Sequence, residues 1–445
     1  MKSSMAPNSG LMTALEEVTA QYRANHRASE QRYVEACRHM PGGNTRTVLH
    51  YSPFPLTWAS GRANRLTDVD GLEYLDLLGD FSAGLCGHSN EIVHTAIKEA
   101  LDKGLALGGP NQYEARLAAA IRSRFPSIDL VRFTNSGTEA NLMALSAVRA
   151  LNPNRSRIMV FEGSYHGSVF SFDQNGRSLN PPFGWLIGQY NDIEGTRTLL
   201  RSNAKSLAAV LVEPMLGAGG CIPGTLQFLR MLRDECTALE IVLIFDEVMT
   251  SRLSPSGLQG RLGITPDMTT LGKYLGGAAS FGAFGGRKDI MERFDPSRPD
   301  PIEHPGTFNN NVLSMAGGLA TLTAVFTREE AARINTLGDQ LRERLNAVGL
   351  AHDTSFQATG VGSVIGLHFK RGAIDTYRDT EPTSTTTKTL QSTLDSLLHL
   401  DMLNRGYYLA RRGYIALSLP TTVADCDQFV SALDGFFNRY SRLIP

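Results

Sequence analysis

Charge of either sign is close to balance: 43 Lys and Arg against 44 Asp and Glu in 445 residues leave a formal charge of -1. A chain so balanced has no global field with which to gather nucleic acid or an anionic membrane surface. No run of Lys or Arg marks a local basic patch either. Cysteine is scarce. The five, at positions 37, 86, 221, 236 and 426, are odd in number and no two have CxxC spacing. Free or buried thiols in a reducing compartment are therefore expected. Long apolar runs are lacking: Ala208–Val212 and Ile241–Phe245 are too short to cross a bilayer. After Lys2 there is no apolar signal-peptide core, and Glu16 and Glu17 arrive early. A soluble, cytoplasmic protein is the expectation. Several enzyme signatures are missing as well. There is no GxSxG, which excludes the hydrolase elbow. Gly272-Lys273 is followed by Tyr274 and has no glycine five residues before Gly272, so it is no Walker loop. Gly217-Ala218-Gly219 lacks the third glycine of a dinucleotide fingerprint and reads as a loop lining. No His/Cys grouping has zinc-site spacing, so no metal is expected.

What is present is ordinary for a soluble enzyme: 42% hydrophobic and 20% charged residues. At roughly 100–200 residues per domain the length suggests two or three structural units. Residues 1–40 read as an amphipathic helical lead-in that Pro41-Gly42-Gly43 breaks. Short strand-like pieces follow over 55–80, around turn signals at Gly61 and Asp70-Gly71. From about 90 to 330, short apolar strands alternate with longer helical patterns. Leu130–Phe133, Ile158–Phe161, Ala208–Val212 and Ile241–Phe245 are continuously apolar apart from Arg132. Strands covered on both faces look like this, and the alternation predicts a mainly parallel sheet with helices on both sides. After about 330, helical stretches at 329–348 and 388–404 flank strands near 361–369 and 414–419, a smaller α/β unit. Thr380–Thr387 reads as a surface loop.

Four segments carry chemistry. In the first, 133–141, a strand ends, Ser136-Gly137-Thr138 turns, and a helix begins. A helix N-terminus offers free N–H groups and the positive dipole end, which suit a phosphate; a plain N-cap is the bland alternative. In the second, Asp246 ends the apolar run 241–245, where α/β proteins bind ligands. A protonated pyridinium nitrogen would be one partner for such a carboxylate; a capping or metal-binding Asp is the alternative. In the third, Lys273 sits in an apolar, glycine-rich stretch, Thr270–Gly277. Desolvation there favours the neutral, nucleophilic amine, and the flanking glycines leave room for a bulky ring. A lysine that snorkels to solvent is the alternative. In the fourth, Gly163–Gly167 offers Tyr165 for stacking on a planar ring and His166 beside it; ordinary packing and a satisfied histidine are the alternatives.

In order along the chain these are a phosphate cup, an aromatic, Glu213-Pro214, Asp246 and Lys273. With NSGTEAN (135–141), YHG (165–167), LVEPM (211–215), FDEVMT (245–250), LGKYLGG (271–277) and HPGTFNNN (304–311), the chain resembles the class III aminotransferases of fold type I, whose cofactor is pyridoxal 5'-phosphate (PLP). The resemblance implies a central mainly parallel, seven-stranded-type α/β sheet, with a large domain over 76–330. It implies a smaller α/β domain made of 331–445 with help from 1–75. Lys273 would hold PLP as the internal aldimine and later shuttle the proton, and Asp246 would pair with the pyridinium nitrogen. Ser136, Gly137 and Thr138 match the phosphate cup, and Tyr165 and Val248 the two ring faces; His166 and Glu213 match motif positions around the cofactor. Thr307 matches the residue that reaches the phosphate of the neighbouring subunit, which implies a homodimer. Many members carry Gln where this chain has Met249, a departure shared with the aminomutase and β-amino-acid branch.

Segments 40–56 and 408–419 resemble the β-phenylalanine type more closely than the glutamate-1-semialdehyde aminomutase. By that resemblance Arg46 and Arg412 bind substrate carboxylates, with Arg411 a direct rival to Arg412. The donor implied is an aromatic β-amino acid, and the acceptor 2-oxoglutarate or pyruvate. An aminomutase-type isomerase, an ω-amino-acid or amine transaminase, and a PLP-binding protein without catalysis are the alternatives.

Overall fold

A computed structural model describes residues 7–173 and 179–444. The first residues of the lead-in, Lys2 among them, lie outside the described residues. The chain divides into two compact units. One comprises Asn90–Asn335 with Ile374–Asp379; the other comprises the chain up to Ser89, Thr336–Ala373 and everything from Thr380 on.

The first unit is built on seven strands: β1 (Leu130–Thr134), β2 (Arg157–Phe161), β3 (Gly184–Gly188), β4 (Leu207–Val212), β5 (Val242–Asp246), β6 (Met268–Gly272) and β7 (Gly282–Gly286). They lie in the order β1-β7-β6-β5-β4-β2-β3. Only β7 runs antiparallel to its neighbours; the other contacts are parallel. The apolar runs explain themselves in this setting. Met159, Phe161, Val210, Val212, Leu243 and Phe245 pack on one face, against helices α2 (Ile193–Asn203) and α3 (Leu226–Ala238). Ile158, Val160, Ala209, Leu211 and Ile244 pack on the other, against the small residues Ala140, Ala144 and Ala147 of α1 (Gly137–Leu151). Successive residues point to opposite faces. With both faces covered, every position is apolar, and each large side chain so buried contributes roughly 1.5–3 kcal/mol.

In the second unit, helices Pro7–Asn25 and Arg27–Ala36 precede three antiparallel strands, Trp58–Arg62, Arg65–Asp68 and Glu73–Asp76. Tyr407–Tyr408 joins them in parallel. Phe356–Val361, Val364–Phe369 and Tyr414–Ala416 form a second, antiparallel sheet, accompanied by helices Thr385–Asn404 and Val423–Tyr440.

Two local expectations change. Gly61 lies within a strand, where a side chain would strike the His88 ring, and the turn falls at Ala63 (φ +49°) instead. The loop expected over 380–387 ends early. Ser384 and Thr387 form a reciprocal cap, each side chain accepting the other's backbone N–H, and this starts the helix at Thr385. All five cysteines are free thiols. Among the described residues no helix is long and apolar enough to cross a membrane.

Candidate active site

Ser136, Tyr165, Glu213, Asp246 and Lys273 all lie at or just beyond the carboxyl ends of sheet strands, the edge at which open α/β sheets bind ligands. Asp246 is the last residue of β5 and is 4% exposed. Its Oδ2 accepts from Asn141 Nδ2 at 2.8 Å and from His166 Nδ1 at 2.8 Å, and its Oδ1 from the Val248 N–H at 3.0 Å. Three donors fix the plane of the carboxylate. Asn141 is held in turn: its Oδ1 accepts from Thr270 Oγ1 at 2.6 Å, and its Nδ2 also reaches the His166 carbonyl at 2.9 Å. His166 is buried, and its Nε2 has no partner. Such an atom costs free energy until a polar group meets it.

Val248 draws three elements together. A Cβ on Gly137 would lie 2.8 and 2.9 Å from its methyls, and one on Gly272 would lie 3.2 Å from it and 3.5 Å from Gly137. The start of α1 and the residues after β5 therefore meet only because Gly137 lacks a side chain, and Gly272 is packed closely against both. Lys273 takes φ +58°, a left-handed conformation that costs roughly 1–2 kcal/mol outside glycine. Strain of this kind is retained where the surroundings impose it, commonly at functional sites. Gly276 and Gly277 serve another purpose than the one expected of them. Side chains there would strike Phe281 and the Gly317 backbone, so these glycines permit packing rather than ring approach.

Ser136 is a true N-cap, its Oγ accepting the Glu139 N–H at 3.2 Å; its hydroxyl hydrogen remains to be donated. Thr138 Oγ1 accepts from the Ser168 N–H at 3.3 Å, and a side chain on Gly167 (φ +123°) would collide with it. Glu213 lies beneath Tyr165. Its carboxylate accepts the Tyr165 N–H and the Gly217 N–H, each at 2.9 Å. Burial pushes the Glu213 carboxyl up to about 7, with His166 opposing the shift and Asp246 adding to it. Tyr165 itself is 45% exposed, an aromatic face presented outward. Gly217–Gly220 forms the tip of a short hairpin, and Met249 packs on Gly217. Thr307 and Phe308 are exposed in a loop pinned by Asn309, whose Oδ1 accepts from Asn135 Nδ2 at 3.1 Å.

Arg46 and Arg412 belong to the other unit, and there they come together on Phe81. Their guanidinium carbons lie 5.7 and 5.4 Å from its ring centre. Arg411 turns the opposite way, donating to Ser392 and Ser396 on the helix Thr385–Asn404.

The aminotransferase class III family model matches residues 49–172 and 188–398. The chain belongs to the class III aminotransferases. It is 45% identical over 432 residues to the β-phenylalanine transaminase of Variovorax paradoxus, covering 97% of this chain and 98% of that one. A solved β-phenylalanine aminotransferase structure from the same organism superposes with a TM-score of 0.94 at 44% identity, covering 98% and 99% of the two chains. An ω-transaminase of Sphaerobacter thermophilus gives 0.86 at 34% identity, covering 92% and 97%. This aminotransferase has the fold type I architecture and uses PLP as its cofactor. Its residues fit that group: a carboxylate anchored by three donors, a buried ring nitrogen awaiting a partner, and an α1 N-terminus with free N–H groups. Asn141 and Thr270, which orient Asp246, escaped the residue-level reading. A polar Asn within the Ala, Leu and Met face of α1 was the available signal.

Proposed function

We propose that this aminotransferase takes the amino group from an aromatic β-amino acid and gives it to 2-oxoglutarate or pyruvate. The convergence of Arg46 and Arg412 on one ring carries this reading, and the 45% identity to a β-phenylalanine transaminase supports it. A guanidinium fork takes a carboxylate through two N–H bonds and fixes its orientation. A β-amino acid holds its carboxylate one carbon further from the amine than an α-amino acid does. Arg412 rather than Arg411 takes this role, because Arg411 is committed to Ser392 and Ser396.

When bound, PLP supplies the electron sink for the bond broken at the amine-bearing carbon. Asp246, oriented by Asn141 and His166, keeps a proton on the ring nitrogen. Lys273 holds the cofactor, and its Nζ removes the proton from the amine-bearing carbon as general base and later returns one. Ser136, Gly137 and Thr138 hold the phosphate at the start of α1, while Tyr165 and Val248 cover the two ring faces. Glu213 sets the Tyr165 backbone. Thr307 completes the phosphate site of a partner copy in a homodimer; its exposure beside Phe308, itself 64% exposed, supports this. Five free thiols suit a cytoplasmic setting.

Incubation with β-phenylalanine and 2-oxoglutarate tests the reading: amine is lost from the donor as glutamate forms. Failure of that transfer, with α-amino donors working well, contradicts it.

A further inference from the structure

Arg46 and Arg412 share Phe81 but differ in charge balance. Arg46 Nη1 lies 2.7 Å from Asp80 Oδ1, whereas Arg412 has no carboxylate partner among the described residues and rests on the Phe81 and Tyr414 rings. Two guanidiniums and one carboxylate leave a single uncompensated positive charge, enough for one carboxylate of a ligand.

The backbone that presents Asp80 is unusual. Gly79, Asp80, Phe81 and Ser82 take φ of +52°, +44°, +52° and +74°, four successive residues in the left-handed region. Three of them are not glycine, so the conformation persists only because its surroundings impose it. Those surroundings are visible. Asp76 Oδ1 accepts the N–H groups of Leu78 and Gly79 at 2.9 and 3.0 Å. The Gly84 N–H closes on the Gly79 carbonyl at 2.9 Å. Ser82 is fully buried, and a Cβ on Gly79 would lie 2.6 Å from the Ala416 carbonyl. Phe81 stacks on Tyr414 at 5.7 Å and 29°. The turn thus places one carboxylate and one ring side by side under two arginines.

We propose that Asp80 is a specificity-determining residue that stands in for a second substrate carboxylate on Arg46. A monocarboxylate ligand occupies Arg412 and leaves the Arg46–Asp80 pair intact. A dicarboxylate ligand, such as a 2-oxo dicarboxylic acid, uses Arg46 as well and displaces Asp80. The pair is about half exposed on both sides, and ion pairs of that kind are weak; the displacement is easy, and one site serves both ligand classes in alternation. The inference rests on the reading that Arg46 and Arg412 bind carboxylates.

The test is Asp80→Asn in the holoenzyme. Asn tolerates the left-handed conformation as well as Asp does, so the turn is kept, and an unchanged cofactor absorbance checks the fold. With one donor, KM is measured for 2-oxoglutarate and for pyruvate, and inhibition constants for glutarate and butyrate. The expected result is a gain of about five-fold in apparent affinity for both dicarboxylates, the size of a weak ion pair no longer displaced. Pyruvate and butyrate change by less than about two-fold on the same scale. The gain disappears when Arg46→Met is added. No gain for the dicarboxylates, an equal gain for the monocarboxylates, or a gain that survives Arg46→Met overturns the proposal. Arg46→Met and Arg412→Met alone report on the underlying reading: if neither raises any carboxylate KM, that reading fails, whatever Asp80→Asn does.

Discussion

His166 donates its Nδ1–H to Asp246 Oδ2 across 2.8 Å, inside a pocket from which both are almost wholly excluded from solvent. The carboxylate fixes which ring nitrogen carries the hydrogen and leaves Nε2 as the buried atom without a partner. On the proposed reading, His166 acts on the reaction through Asp246. Replacing His166 with Ala removes one of three donors to a buried carboxylate, a loss of roughly 1.5–3 kcal/mol. A fall in kcat of about 10- to 100-fold is expected. Asp246→Asn presents an N–H to donors and is expected to cost roughly 10²–10³-fold. Steady-state kinetics with saturating cofactor check both; equal activity for Asp246→Asn and the wild type contradicts the assignment.

Gly137 is expected to tolerate no side chain. A Cβ there meets two methyls of Val248 at 2.8 and 2.9 Å, and overpacking of this kind costs about 1–3 kcal/mol. Gly137→Ala should weaken cofactor retention, measured by dialysis and absorbance. Adding Val248→Ala should restore part of it, because the clash lies between these two positions. Independent losses from the two changes contradict the contact.

Glu213 gives a pH-dependent effect whose sign follows from its carboxyl being raised to about 7 by burial. The folded state holds this proton more tightly than the unfolded chain, where the pKa is about 4.3. The contribution to stability is complete below the unfolded value and is lost as pH rises toward 7, by about 4 kcal/mol at most. Glu213→Gln lacks that dependence. It also turns an N–H toward either Tyr165 or Gly217, so it is destabilising overall. The difference in melting temperature between the wild type and Glu213→Gln should shrink from pH 5 to pH 8. A constant or growing difference contradicts the account.

The two adjacent arginines separate cleanly. Arg412→Ala should raise KM for a β-amino acid by at least about 30-fold, as truncating one side of a charged pair costs 2–5 kcal/mol. Arg411→Ala, which frees Ser392 and Ser396 and removes the cation that counters the burial of Asp395, should change it by less than about three-fold. Parallel kinetics of the two variants decide it.

The strands of the large sheet were legible because a helix covers each face. Ile158 and Met159, neighbours in sequence, sit in cores on opposite faces, so no polar residue interrupts the run. The positions proposed as anchors, Asp246, Lys273 and Ser136, stand out in the sequence because charge or capping chemistry contrasts with apolar strands. Asn141 showed itself only as a polar residue on the apolar face of α1, since its partner Thr270 lies 129 positions away. The turn at 79–82 left almost no trace: one glycine in four announces a left-handed backbone, and Asp76 and Ala416 impose the rest. The helix start at Thr385 was misread because Thr387 fills the capping position that Glu or Gln usually marks.

The most direct measurement is borohydride reduction of the holoenzyme followed by peptide mapping. The pyridoxyl label is expected on Lys273 alone, with Lys273→Ala unlabelled and inactive. A label on any other lysine, or none on a protein shown to retain PLP, would contradict the account.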